Sequence, residues 1–551
     1  LRCRWARVEG GDMWAVDWSP YDMVYLFQRP ESMARAMDKA ARELRPGAWL
    51  VSLEFAADGW VANACLQDED ERPVWLYQVP FQVAEGACDA SPLADQAAST
   101  SSAGAGTSRK ALAINLDRSA YGAFAEIGAG QEVVRHFFKS GGASGTVAKS
   151  ISAYDMRVSD AIYGHPQRYV SRQRLEQMLD HEYGLLVDRL KAERGPVTRF
   201  FAFADTVATT PHDGKGQGHS WIGIRFQDHP QAEPSEVILH LRLWDKDAGR
   251  QQDALGAVGV NLIHAALNTR DSVDNFLNAL VDEVGAGRVE VEFVHFSGPA
   301  FGSFDNRAAA LRLVRLGLTD AVLFGPEGDP QVPSEYFHKR SVLVARGTFR
   351  PVSIVNVDML ACALRALPEG GKDVVPLFEM CIGSDPHPES ELIDRIRLVG
   401  ATQHPLLVTR HRGWYRLPAY FRLHTTGSIT LVAGMNNLVD LFNPEHYTHL
   451  EGGVLESCGR LFKDGVRVMV YPMRGDQLRR LILDPVACKV CFPESYSVAE
   501  DSVVTASAIQ MRPSVAGLFQ HLLNNGFLVP IKGADPLAMA CQPRTLAERI
   551  R

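Results

Sequence analysis

Three polar residues stand where they could perform acid–base chemistry, for which carboxylates and imidazoles are the usual groups. Asp205 ends the apolar run FAFAD, where a buried carboxylate needs a partner. His219 precedes the apolar run SWIGIRFQ, and Asp305 opens a strand-to-helix corner in FGSFDNR, an edge where ligands of α/β sheets bind. A pocket in the long C-terminal part is expected where these three residues converge. Helix caps and internal ion pairs are the alternative roles.

A glycine-containing corner lies earlier, in the stretch FAEIGAGQEVVRHFF at 124–138. Its Glu126, Gly128 and Gly130 match part of the acidic and glycine-rich loop of nucleotide-binding folds. The third glycine is missing, and no buried apolar strand precedes Glu126 in LDRSAYGAF. The pattern therefore predicts a capped helix start, with a cofactor loop as the alternative.

Other short motifs predict little. GGASGTVAKS separates its last glycine from Lys149, so it is not a phosphate-binding P-loop. The pair CKVC has no second pair and no nearby histidine, so we expect no metal site.

The stretch GGDMWAVDWSPYDMVYLFQRPESMARAMDKAARELRPGAWLVSLEF carries a family resemblance. It resembles the second half of a class I S-adenosylmethionine-dependent methyltransferase, over residues 8–81. The matching marks are the pair Gly11-Asp12, Asp22 before a strand, and the turn 45–47, RPG, after a helix.

The resemblance implies a cofactor site for S-adenosylmethionine. Asp12 would accept a hydrogen bond from the adenine amine, and Met13 would offer its backbone N–H. Asp22 and Tyr25 would lie at the carboxyl edge of the central strand. The glycine-rich front loop of the family would precede Gly11, so we expect a gene that is truncated there, and the methyl acceptor is unknown.

Composition and charge exclude some function classes. The chain has 551 residues, 46% of them hydrophobic, and a formal net charge of −8, which offers no electrostatic case for nucleic acid or an anionic membrane surface. No apolar run approaches the ~18 residues of a spanning helix. Nine scattered cysteines favour a reducing, cytoplasmic location.

The sequence divides at an Ala/Ser/Gly-rich stretch, 86–110, which is typical of a flexible linker. We predict an α/β fold class: a partial Rossmann-like methyltransferase sheet in 1–85, then a larger mixed α/β region. That region is divided into 111–360 and 361–530, followed by a tail, 531–551. Within it, the runs 199–208, 220–227 and 236–245 predict neighbouring antiparallel strands. The runs 289–296, 306–317 and 320–325 predict a strand–helix–strand unit.

Residues 111–526 also resemble an uncharacterised bacterial family whose members are often named TonB-dependent receptor or nicotinamide mononucleotide adenylyltransferase. Its marks here include FFAFADTVATT, FSGPAF and GGVLESCGRLF. Neither name has motif support, since an adenylyltransferase carries (H/T)-x-G-H after its first strand and the nearest string is GQGH at 216–219. Three functions stay open: a methyltransferase-derived fusion, a nucleotide-directed enzyme in 111–551, and a non-catalytic binding or scaffold protein.

Overall fold

The computed structural model describes residues 14–26, 30–53, 60–67, 73–83, 106–210, 216–285, 287–367, 373–383, 387–493 and 495–540. The chain forms two compact units, Leu1–Gly104 and Ala105–Arg551. Two residues of the expected cofactor site, Asp12 and Met13, lie outside the described residues.

The smaller unit is built on a four-stranded sheet with the order β1-β2-β5-β4. Its elements are β1 (Met23–Leu26), α1 (Pro30–Glu43), β2 (Trp49–Leu53), β3 (Trp60–Val61), β4 (Ala64–Gln67), β5 (Pro73–Gln78) and β6 (Gln82–Val83). Strands β1 and β2 are parallel and joined through α1, whereas β5 runs antiparallel to both β2 and β4. Met33 and Met37 of α1 are buried in one core with Leu50 and Tyr77, so the helix covers one face of this sheet.

The first half of the larger unit contains a six-stranded sheet with the order β12-β11-β10-β9-β7-β8. Its elements are α2 (Thr107–Leu116), β7 (Ala120–Gly128), α3 (Val133–Ser140), β8 (Val147–Ile151), α4 (Met156–Tyr163), α5 (Arg172–Arg194), β9 (Arg199–Ala208), β10 (Gly218–Gln227), β11 (Pro234–Leu243), α6 (Ala248–Asn268), α7 (Val273–Leu280) and β12 (Val289–Ser297). Strand β7 is parallel to β8 and β9, and β9 to β12 alternate in direction.

Two helical layers cover this sheet. Buried residues of α2, α3, α6 and α7 share one core with Phe124, Phe203 and Ile222, and residues of α4 and α5 share another with Ala204 and Trp221. Alternate residues of each strand therefore face different helices, as the pleat requires. The helices begin at side-chain caps that accept backbone N–H groups: Asp155 for α4, Ser171 for α5, Asp247 for α6 and Ser272 for α7.

The second half contains an eight-stranded sheet with the order β14-β13-β17-β16-β15-β18-β19-β22. Its elements are α8 (Asn306–Arg315), β13 (Ala321–Phe324), β14 (Pro330–Gln331), α9 (Pro333–Tyr336), β15 (Ser341–Arg346), α10 (Ile354–Ala366), β16 (Val374–Cys381), α11 (Glu389–Gly400), β17 (Leu406–Thr409), α12 (Arg416–Arg422), β18 (Ile429–Ala433), α13 (Met435–Phe442), α14 (Gly453–Leu461), β19 (Arg467–Val470), β20 (Met473–Arg474), α15 (Gly475–Ile482), α16 (Pro485–Val490), β21 (Val503–Val504), α17 (Pro513–Asn524), β22 (Leu528–Pro530) and α18 (Pro536–Ala540).

Six neighbouring strands of this sheet are parallel; in spatial order they are β17, β16, β15, β18, β19 and β22. When they are counted in chain order from β15, their order across the sheet is 3-2-1-4-5-6, that of a doubly wound nucleotide-binding sheet. The helices after β15 and β16 pack on one face, and those after β18 and β19 on the other. The α/β fold class is therefore confirmed.

The structure confirms three strands predicted in the larger unit and corrects one local expectation. A mostly buried strand, β7, does lead into Glu126, because Ala120, Gly122, Ala123 and Phe124 are small or apolar enough to pack in the core. The three predicted antiparallel strands are β9, β10 and β11, in that order. The strand, helix and strand predicted at 289–296, 306–317 and 320–325 are present as β12, α8 and β13. The two strands do not share a sheet, because β12 pairs with β11 while β13 pairs with β17 and β14. The predicted boundary at residue 360 falls inside α10, and strands from both sides of it share the eight-stranded sheet.

Among the described residues, no helix combines the length and the apolar character needed to cross a membrane.

Candidate active site

The carboxyl ends of β7 and β8 form a switch point in the six-stranded sheet. The chain leaves β7 toward α3 on one face and leaves β8 toward α4 on the other. In open α/β sheets, ligands bind in the crevice that such diverging connections leave outside the strand ends. Reactive groups are therefore expected at this edge of the sheet.

Two carboxyl side chains lie directly beneath this edge. Glu126 of β7 and Asp205 of β9 are partners in the parallel register, on the face covered by α3 and α6. Both are buried, Glu126 with 2% and Asp205 with 0% of its surface exposed. Two acids placed side by side in a core are costly unless they share protons or hydrogen-bond donors.

Glu126 caps the helix that follows it. Its Oε1 accepts the backbone N–H of Val133 at 2.8 Å, and its Oε2 accepts that of Val134 at 3.2 Å. Glu132, the residue before the helix, makes no side-chain cap. The glycine-containing corner is thus a capped helix start, and two of the N–H groups that a phosphate would need are already taken.

Asp205 has no such partner. Neither of its oxygens reaches hydrogen-bonding geometry with the part of the chain that the structure describes, although the backbone N–H of Ile127 lies close enough to favour the anion. Gly130 packs directly on the carboxyl group, and a Cβ at that position would overlap it. The loop 128–132 therefore acts as a cover, and only glycine fits at its centre.

The two acids hold protons to unusually high pH. Burial raises the pKa of Glu126 to about 7, against the opposing effect of the two N–H groups from α3. Burial, and then the charge of Glu126, raises the pKa of Asp205 well above its ordinary value. The pair therefore keeps protons at pH values where an ordinary carboxyl group is fully ionised, so that it can both donate and accept a proton.

The other two predicted catalytic residues do not join this pair. His219 lies at the same edge of the sheet, opposite Ala208, but it faces the α5 side with Trp221. Asp305 is exposed at the far end of β12, where it caps α8 by accepting the N–H of Arg307 at 2.7 Å. The expected convergence of Asp205, His219 and Asp305 is thus not found.

The predicted cofactor residues of the smaller unit are only partly described. Asp22 precedes β1 at its amino end, where it is exposed and pairs with Arg45 at 3.2 Å. This placement corrects the expected position of Asp22 at the carboxyl edge. Tyr25 is the third residue of β1, with 57% of its surface exposed.

Some functional candidates were not foreseen from the sequence. In the sequence Glu126 marks the flank of a glycine-containing loop, and its role as cap and buried acid becomes clear only from the structure. His240 and Glu292 were missed altogether, although each is a polar residue in an apolar strand. Charged or imidazole groups at inward positions of such strands are the signal that would have found them.

At the carboxyl edge of the eight-stranded sheet, polar side chains of neighbouring strands pair with one another. Arg346, the last residue of β15, contacts Glu379 of β16 at 2.8 Å, and Glu379 accepts the hydroxyl of Thr409 at 2.6 Å. The segment after β15, residues 347–353, reads GTFRPVS and lacks the (H/T)-x-G-H string of adenylyltransferases. Among the described residues, no three His, Cys, Asp or Glu side chains cluster as metal ligands.

Comparisons with known proteins give little beyond this geometry. No family model matches the chain, and no curated protein matches it. Solved structures of competence-damage proteins show low similarity. CihA from Agrobacterium tumefaciens is 16% identical, with a TM-score of 0.22 over 30% of this chain and 98% of its own. A CinA superfamily protein from Enterobacter cloacae is 14% identical, with a TM-score of 0.22 over 32% of this chain and 100% of its own. We draw no inference from similarities at this level.

Proposed function

We propose that residues 105–551 form an enzyme in which Glu126 and Asp205 act as proton donor and acceptor. The observation that carries the proposal is the buried, in-register carboxyl pair beneath the carboxyl edge of β7. Perturbed acids at such an edge are typical of catalytic sites. One acid would protonate a leaving or carbonyl oxygen while the other accepts a proton from the attacking group.

The surroundings of the pair favour a ligand that is uncharged or cationic at this corner. The N–H groups of Val133 and Val134 are taken by Glu126, so the start of α3 does not offer them to a phosphate. The loop 128–132 covers the pair, so the substrate would reach it when this loop moves aside. The chemistry of the pair fits a hydrolytic or group-transfer reaction better than a redox step, because carboxyl groups move protons and not electrons.

Direct titration of the two acids tests this proposal without a known substrate. Carboxyl ¹³C resonances of the full chain, followed from pH 4 to 10, should show Glu126 titrating near pH 7 and Asp205 titrating well above the ordinary range of an aspartate. Replacing Glu126→Gln removes the neighbouring charge, so the Asp205 transition should move to lower pH. Two carboxyl groups that both titrate near pH 4 would refute the proposal.

A ligand screen then tests catalysis. Nucleosides and nucleotides belong in the panel because the strand order of the eight-stranded sheet favours nucleotide binding. Amides, esters and glycosides test hydrolysis. Turnover of any of them should be lost in Asp205→Asn and kept in the control variant Asp188→Asn, whose residue is exposed on α5. Equal turnover in both variants would exclude the pair from catalysis.

The smaller unit supports a second candidate function, binding of S-adenosylmethionine. The supporting observation is that β1, α1, the turn Arg45-Pro46-Gly47 and β2 follow in the order that the methyltransferase resemblance implies, with β1 parallel to β2. Gly47 adopts a φ of +88°, which suits glycine in such a turn. Calorimetric titration of S-adenosylmethionine into the full chain is the test. Binding weakened by Asp12→Ala but not by Asp17→Ala would support it, and no heat from the wild-type chain would refute it.

A further inference from the structure

A second polar chain runs along the α5 face of the six-stranded sheet. Nδ1 of His219 on β10 lies 3.4 Å from Nε2 of His240 on β11. Nδ1 of His240 lies 2.9 Å from Oε2 of Glu292 on β12. Three adjacent strands thus place imidazole, imidazole and carboxylate in a row.

The carboxylate end of the row is fixed in its charged form. Arg242 contacts the other oxygen of Glu292 at 2.6 Å, and this ion pair together with His240 lowers the pKa of Glu292 despite complete burial. Arg242 also donates to Nδ1 of His424 at 3.0 Å, so that imidazole accepts and stays neutral. Glu292 is therefore a lasting anion that accepts hydrogen bonds.

The anion dictates the tautomer of both histidines. Nδ1 of His240 faces Oε2 of Glu292 at 2.9 Å, outside hydrogen-bonding angles, and the neighbouring anion favours the tautomer with the proton on Nδ1. In that tautomer Nε2 of His240 carries a lone pair. That lone pair accepts the Nδ1–H of His219, so Nε2 of His219 is left without a proton. The ring of His219 contacts His240 through Nδ1, and its Nε2 makes no hydrogen bond to the described residues.

We propose that His219 is the general base of a second acid–base site, which takes a proton from a bound hydroxyl group or water. The proton from the ligand oxygen would bond to Nε2 of His219, and the Nδ1 proton of His219 would pass to Nε2 of His240. The resulting imidazolium of His240 would be stabilised by Glu292. His240 and Glu292 are positioning residues here, since only His219 would meet the ligand.

The burial pattern agrees with this direction of transfer. His240 and Glu292 are buried with 1% and 3% of their surfaces exposed, whereas His219 is half-buried. The ring of Trp221 packs 4.9 Å from that of His240 and holds its orientation. The Glu126–Asp205 pair lies on the opposite face of the sheet, so this site is separate from the proposed function and does not depend on it.

The charged groups around His219 keep it unprotonated. Burial, with His240 and Arg242 from β11 and Arg168 from the segment before α5, lowers its pKa, and only Glu292 opposes them. The pKa falls to about 4. His219 should therefore stay a free base at acidities where an ordinary histidine is a cation.

Acylation by diethyl pyrocarbonate measures a free and accessible imidazole nitrogen. Site-resolved mass spectrometry of the full chain should show His219 modified at pH 5 at more than half its rate at pH 7, because a pKa of about 4 leaves it neutral throughout. N-acetylhistidine, with an ordinary pKa of about 6.5, should slow about 25-fold over the same interval. An unmodified His219, or one that slows like the model compound, would overturn the proposal.

Tautomers supply an independent measurement on the unaltered protein. Long-range ¹H–¹⁵N correlation spectra should show protons on Nδ1 of both His219 and His240, with Nε2 of each bare. In Glu292→Gln, the amide no longer dictates this tautomer, so the preference of His219 should weaken and its acylation rate should change. If Glu292→Gln fails to fold, the wild-type spectrum alone decides, since Nε2–H on His219 would refute the relay.

Discussion

Glu126 and Asp205 occupy one rung of the parallel ladder between β7 and β9, with both carboxyl groups on the same face of the sheet. Adjacent strands lie about 4.8 Å apart, so two charges here would repel strongly in a core without water. The protein avoids this by keeping protons on the pair and by turning the oxygens of Glu126 toward the start of α3. The pair is therefore a protonated acid site, buried beneath the loop 128–132 at the edge of the sheet.

The first prediction concerns stability against pH. Both acids have pKa values raised on folding, so the folded chain binds more protons and loses stability as pH rises from about 4. Asp205→Asn removes one of these groups. Its stability relative to wild type should therefore increase with pH, by at most about 1.4 kcal/mol per pH unit. Urea unfolding at pH 5, 7 and 9 measures this.

The control for this series is Asp188→Asn, which changes an exposed aspartate of α5. Its stability relative to wild type should depend little on pH between 5 and 9. A flat difference for Asp205→Asn as well would show that Asp205 does not carry a proton into the neutral range.

The second prediction concerns the cover of the site. Gly130→Ala would place a methyl group against the carboxyl group of Asp205, and the overlap should cost about 1–3 kcal/mol. Gly184→Ala, in the middle of α5 with open space around its Cα, is the matched control. It should stabilise the protein by about 0.5–1 kcal/mol through helix propensity. Thermal unfolding of both variants checks the opposite signs, and a neutral Gly130→Ala would mean that the loop moves freely.

Local features of this fold could be predicted from the sequence. The short apolar runs at 199–208, 220–227 and 236–245 are typical of strands, and their closeness in the chain favours pairing with nearest neighbours, so both their existence and their antiparallel order follow. The helix α5, Arg172–Arg194, also follows from the sequence, because Leu175, Met178, Leu179, Leu186 and Leu190 recur near helical spacing.

Long-range relationships could not be predicted. Strand β12 has a typical strand pattern, but nothing in its residues says that β13, one helix later, belongs to another sheet. The same limit hid the candidate site. The sequence shows Asp205 as a carboxylate in an apolar strand. Its pairing with Glu126 cannot be seen there, because it depends on the register between two strands that are distant in the chain.

The third prediction concerns the capping of α3. Glu126→Ala leaves the N–H groups of Val133 and Val134 without their acceptor in a buried place, which should cost about 1–3 kcal/mol at pH 6. Glu132→Ala changes the residue directly before the helix, whose side chain makes no cap. Its side chain forms a surface ion pair with the half-exposed Arg135, so its loss should cost less than about 0.5 kcal/mol. Denaturant unfolding of the two variants ranks them, and equal effects would mean that Glu126 does not cap the helix.

The last prediction concerns the ion pair between Arg242 and Glu292. Both side chains are buried, so removing either partner leaves an uncompensated charge, and Arg242→Met or Glu292→Leu alone should cost about 3–5 kcal/mol. The double variant removes both charges and fills the space with apolar atoms. It should therefore lose much less than the sum of the two single changes. Denaturant unfolding of the four proteins gives the coupling energy. Additive losses would mean that water reaches the pair, and that Glu292 is not the buried anion on which the His219 relay depends.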